Sequence, residues 1–183
     1  MSHASLDHIY PVVCHESYLS ELGEGNYFAA DFGHDLALLL WHDHGGTLKL
    51  VTPSELSTLG VSKADLWNHA FENFNRALNQ GQINFDLVGF PNDEKILVAG
   101  PHWLASTLAI HEGLYPFVAE QIGSPEVLVV VPAREKAIFF SKRCSLSLRS
   151  AVEAIAEDVA RASLKPFGWR LLSLSQDGAE AIQ

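Results

Sequence analysis

The residues best able to do chemistry in this chain lie in short polar interruptions of apolar sequence. Pro132-Ala133-Arg134-Glu135 separates two apolar runs, VLVVV and AIFFS. On a connection between strands, Arg134 presents a planar fork of donors to a carboxylate or phosphate, with the Glu135 carboxylate beside it. Binding residues concentrate on loops held by a rigid scaffold. The simpler alternative is a hairpin turn whose Arg134 and Glu135 face water or pair with each other.

Asn73 lies at the edge of an apolar helical stripe, with His69, Glu72 and Arg76 near it. A polar group in that position hydrogen-bonds the sheet or the next loop, or joins Arg134 in a site if the fold brings the two together. His111 sits in an apolar segment and shares a helical face with Leu104, Leu108 and Tyr115. It suits general acid–base work, or else is a hydrogen-bonded core histidine.

His42-Asp43-His44 is the most metal-like spot, because alternate residues of a strand point to the same side. Against it, His44 falls in the Gly45-Gly46 turn and no third ligand follows at a characteristic spacing. A polar hairpin tip is the expectation, and neither metal nor cofactor is assigned. Cys144, after Lys142 and Arg143 and before a helix, has the surroundings that lower a thiol pKa. Ser106 has no nucleophile-elbow glycines around it, and no glycine-rich phosphate loop occurs.

These groups must be positioned by the elements between them. The run DLALLLWH, residues 35–42, reads as a buried strand, paired through the 43–46 turn with Leu48 to Val51. Thr52-Pro53-Ser54-Glu55 opens a short helix that ends at Gly60. Ser62 caps a longer helix with Asp65 three residues on, and Leu66, Ala70, Phe74, Ala77 and Leu78 form its apolar face. A second hairpin joins 83–88 to 95–99, and an apolar segment, 102–123, reads as a buried helix that Gly113 and Pro116 should kink or divide.

The third hairpin, 127–131 with 137–141, contains VLVVV, whose lack of alternation predicts a strand covered on both faces. A helix over 147–163 and a strand over 169–174 follow. Residues 1–26 read as a weak helix that uses Val12, Val13, Tyr18, Leu19 and Leu22, and residues 176–183 as a frayed tail. The whole is an α+β fold: three successive β-hairpin–helix units form a mainly antiparallel sheet with packed helices, plus a final strand, in a single domain.

Composition narrows the function. A chain of 183 residues buries about 70% of its extended surface and folds without disulfides or metal. Its net charge is −10, with basic residues scattered, which disfavours nucleic acid and anionic membranes. No signal peptide or membrane-length apolar run is evident, so a cytoplasmic location is expected.

With its elements placed, the chain resembles the YtpQ-like family of bacterial proteins, a domain of unknown function. The resemblance covers roughly residues 35–175 and rests on LLLWHD, Leu66-Trp67-x-x-Ala70-x-x-Asn73-Phe74, Ala105-Ser106, and the strand running into Pro132-Ala133-Arg134-Glu135. The family more typically has Pro-Ser-Arg-Asp at the last motif, so Ala133 lacks a hydroxyl and Glu135 is a longer acid. The resemblance implies a fold and a bacterial cytoplasmic setting, and no reaction.

The leading functional expectation is a non-catalytic domain that binds a protein or small ligand, homodimers included, through Arg134, Glu135, Asn73 or His111. The alternatives are an enzyme of unassigned reaction, hydrolysis being one candidate, and an acidic, antitoxin-like partner that covers a basic surface.

Overall fold

The computed structural model describes residues 6–22, 27–33, 35–164 and 166–182. The protein is α+β, with two mainly antiparallel sheets and several helices. Its contacts divide into two compact units, Met1–Gln82 and Ile83–Gln183. Among the described residues no helix is long and apolar enough to cross a membrane.

In the first unit, β1 (Ile9–His15), β2 (Ala29–Gly33) and β4 (Leu48–Leu50) all pair with β3 (Leu36–Asp43). The expected buried strand is β3, and every residue from Leu36 to His42 is buried. The expected hairpin is present, with Trp41 opposite Leu50 and Asp43 opposite Leu48.

Val12 and Val13 depart from expectation by lying in a strand. In β1, Val12 pairs with Leu39 and Val13 with Leu38. Ile9, Val12 and Val13 are β-branched and stiff at χ1, which favours a pleated surface, and β3 offers a free edge that a short helix cannot satisfy. Only Tyr18, Leu19 and Leu22 join a helix, α1 (Ser17–Leu22). Gly23 and Gly25, which follow it in the chain, lie outside the described residues.

Two capped helices complete this unit. For α2 (Pro53–Leu59), Thr52 and Glu55 form a reciprocal capping box and Gly60 closes the helix at φ 68°. For α3 (Lys63–Asn79), the Ser62 hydroxyl accepts from the Asp65 N–H, and Leu66, Ala70, Asn73, Phe74 and Ala77 are buried. Leu66 and Ala70 pack with Ile9, Leu40 and Val51.

The second unit is a six-stranded antiparallel sheet. Its strands are β5 (Phe85–Gly89), β6 (Lys95–Ala99), β7 (Val127–Ala133), β8 (Lys136–Ser141), β9 (Leu171–Ser175) and β10 (Gly178–Ala181). The order β10-β9-β7-β8-β6-β5 puts β7 inside, and all seven of its residues are buried. That is the double coverage its unbroken apolar run requires.

The apolar segment between the second and third hairpins is divided, as Gly113 and Pro116 predict. Only α4 (Tyr115–Ile122) is α-helical, while Ala105–Ile110 and Glu112–Leu114 are 3-10 turns. The last helix, α5 (Leu146–Ala162), lays Leu148, Val152 and Ala156 against Leu128, Val130, Ile138 and Phe140.

The carboxyl-terminal segment is not frayed. Residues 178–181 pair with 172–175 as β10. Gly178 at φ 110° and the Asp177 N–H donated to the Ser175 hydroxyl at 3.2 Å close the tight turn between them.

Candidate functional site

Strand β7 ends at Ala133 and β8 starts at Lys136, with those two residues paired, so Arg134 and Glu135 form a two-residue turn. A turn facing water would leave its carbonyls to solvent. Here the Arg134 carbonyl accepts from Ser106 N–H at 3.0 Å and the Glu135 carbonyl from His102 N–H at 3.2 Å. His102 lies in the loop before the 3-10 turn Ala105–Ile110 and Ser106 within that turn, where Ser106 and Thr107 are fully buried.

Gly100 allows that loop to approach. Its φ is +121°, and a Cβ added there would meet the Glu135 carbonyl oxygen at 2.3 Å. A glycine is needed both for the conformation and for the space.

On this fixed turn, Arg134 Nη2 and Nε reach the same carboxylate oxygen of Glu135, at 3.0 and 3.1 Å. The other Glu135 oxygen accepts from the Ser163 hydroxyl at 3.4 Å. An open groove of about 590 Å³ runs beside the pair, with Pro101, Val159, Ala162 and Leu164 among its apolar walls. Leu164, on one of these walls, is 97% exposed. The combination is an apolar trough next to a partly shielded guanidinium, suited to a ligand with an apolar body and an anionic end.

Of the residues singled out by sequence, Arg134 and Glu135 line this groove; His111 is not among the described residues that do. His111 joins the two 3-10 turns, with its N–H donated to Leu108 and its carbonyl accepting from Leu114. Because the helix is broken there, His111 does not continue one helical face from Leu104 and Leu108 to Tyr115. Burial holds its imidazole pKa below the ordinary value, with Glu112 acting in the opposite sense.

Asn73 belongs to the first unit. Its amide nitrogen donates to the Leu6 carbonyl at 2.6 Å and the Ile9 carbonyl at 2.9 Å, tying α3 to the start of β1. Cys144 also differs from expectation. Burial, then the Glu94 charge, raises its thiol pKa, and Arg149 only partly opposes them. Neighbours in sequence did not set that environment.

Comparisons with protein-family models, curated proteins and solved structures find no match.

Two groups that touch the Arg134–Glu135 turn escaped sequence reasoning. His102 gives its backbone N–H to the turn, and its Nδ1 accepts from the Leu104 N–H at 3.2 Å. Burial lowers its pKa, which keeps Nδ1 available as an acceptor. The only local signal was Gly100-Pro101 immediately before it. Ser163 lies at the end of α5, 28 residues from Glu135, and nothing local marks it.

At the tip of the first hairpin, His42 is buried and His44 exposed, and their rings lie 3.9 Å apart between centroids at 33°. Burial, followed by the nearby His44, lowers the His42 pKa; Glu55 and Asp43 act the other way. Glu55 approaches from α2, so a third possible metal ligand is present that spacing along the chain did not reveal.

Proposed function

We propose that this chain is a non-catalytic binding domain and that the groove beside Arg134 takes a small ligand with an apolar body and a carboxylate end. One observation carries the reading: an apolar groove is bounded by a guanidinium on a turn whose two carbonyls are both held by the Gly100–Ser106 loop. Such anchoring fixes the Arg134 fork before a ligand arrives, which lowers the ordering cost of binding.

The ligand carboxylate replaces Glu135 at Nε and Nη2, and the Ser163 hydroxyl retains Glu135 through its second oxygen. An apolar tail then covers Leu164. The resemblance to the YtpQ-like family rests partly on the same strand and turn.

Titration with acetate, benzoate and octanoate tests the reading, followed by calorimetry and by the side-chain Nε–H resonance of Arg134. Benzoate or octanoate should bind more tightly than acetate and move that resonance, and Arg134→Gln should remove the effect. Absence of any response at millimolar ligand, or equal binding by Arg134→Gln, would overturn it.

A further inference from the structure

The His42–His44 tip belongs to a different unit from the Arg134 groove, and its geometry points to a chemistry of its own. His42 lies in β3 and His44 just beyond its end, and their two rings lie face to face, 3.9 Å apart between centroids. The turn beyond is held by the Asp43 carboxylate, which accepts from Gly46 N–H at 2.6 Å, and by His44 N–H donated to the Thr47 carbonyl at 2.9 Å. His44 therefore sits on a defined backbone although its ring is exposed.

The third group is brought in by helix capping. Val51 N–H donates to the Leu40 carbonyl at 2.9 Å, so the start of α2 is fastened beside β3. The capping box then folds Glu55 back toward that start, with Oε2 accepting from Thr52 N–H at 2.8 Å. The cap uses Oε2, so Oε1 remains as a second acceptor.

One ligand atom from each of His42, His44 and Glu55 lies within 4.8 Å of the others. A tetrahedral ion with bonds of about 2.1 Å holds neighbouring ligand atoms roughly 3.4 Å apart. The His44 ring is exposed, so of the three groups it has the most room to turn toward such an ion.

A second observation comes from His42 itself. It is only 4% exposed, yet its ring makes no hydrogen bond among the described residues. The ring packs against that of His44 with centroids 3.9 Å apart, and a cation held between the two imidazoles would take a lone pair from each.

We propose that His42, His44 and Glu55 form a binding site for a divalent transition-metal ion of the zinc type. Two imidazoles and one carboxylate match the preferences of that ion, and three protein ligands leave a fourth position for water or another small ligand.

The test uses the untagged full chain, stripped with chelator and titrated with Zn²⁺ alone by calorimetry. Co²⁺ serves as a spectroscopic substitute. One ion per chain, the visible absorption of four-coordinate Co²⁺, and a melting temperature that rises with free Zn²⁺ are expected. His44→Ala and Glu55→Gln should each weaken binding by more than about tenfold, a loss already typical of disturbing only a ligand's supporting partner.

Glu55→Gln retains an amide oxygen for the Thr52 cap and His44 is exposed, so both variants keep the metal-free melting temperature and separate lost binding from lost folding. Failure to bind Zn²⁺ stoichiometrically at micromolar concentration would overturn the site. So would undiminished binding by the double variant, which would place the ion on other histidines.

Discussion

Both carboxylate oxygens of Glu94 are taken by Ser145: one accepts its backbone N–H at 2.5 Å and the other its hydroxyl at 2.6 Å, across 51 residues of chain. Ser145 is also the N-cap of α5, its hydroxyl accepting from Leu148 N–H at 3.1 Å. Glu94, just before β6, therefore orients the cap of a helix that packs on β7 and β8.

The Ser145 hydroxyl, then its backbone N–H, hold the Glu94 pKa below the ordinary carboxylate value. A carboxylate with a lowered folded-state pKa contributes stability above its unfolded value, about 4.3, and loses it as pH falls through the folded value. Glu94→Gln should accordingly melt below the parent at pH 7, with the gap narrowing by pH 3. Thermal melts of both proteins at the two pH values decide this; an equal gap at both would disprove the linkage.

His102 and His111 work in a higher pH window. Burial lowers both imidazole pKa values. The unfolded chain takes up those protons as pH falls below about 6.5, whereas the folded protein resists until lower pH. Unfolding free energy should thus decrease from pH 7.5 to 5.5 in urea titrations, and His111→Gln should flatten part of that slope. A flat profile in the parent would contradict the burial argument.

Asn73 offers a stability test. Removing its amide in Asn73→Ala strands the Leu6 and Ile9 carbonyls that it now serves, at a cost of about 1–3 kcal/mol. Asn73→Asp should cost more at pH 7 than at pH 4.5, since a carboxylate faces those carbonyls without a proton to donate. Each variant is compared with the parent at the same pH by urea denaturation, and a pH-independent Asp penalty would count against the assignment.

Gly100→Ala addresses the Arg134 turn. The φ of +121° and the 2.3 Å approach to the Glu135 carbonyl act together, and backbone strain alone costs on the order of 1–3 kcal/mol. A lower melting point and weaker carboxylate binding are both expected, because the new methyl pushes the turn that holds Arg134. Parent-like behaviour in both assays would mean that the loop shifts freely.

Much of the fold is legible in short stretches. The caps at Thr52, Glu55 and Ser62 and the stop at Gly60 depend on neighbours three or four residues away, which the chain itself supplies. The three hairpins, β3–β4, β5–β6 and β7–β8, are likewise local, with turn residues between apolar runs. At the candidate site, the Arg134–Glu135 turn was readable for the same reason.

What short stretches could not reveal depends on pairing across distance. Val12 and Val13 are as compatible with a weak helical stripe as with a strand until β3 presents an edge to them. Residues 178–181 look like a tail until β9 takes them into the sheet. Ser163 and His102 carry no mark of the Arg134 turn, because contacts with it are made by elements remote in sequence.

By itself, then, the sequence determined the hairpins, the capped helices and the doubly covered strand β7, since local geometry and apolar patterning act over a few residues. Only the tertiary structure decided that β1 and β10 are strands, that the Gly100 loop clamps the Arg134 turn, and that Glu55 meets His42 and His44. Each of those results from long-range backbone pairing or packing, where the partner, and not the local period, selects the conformation.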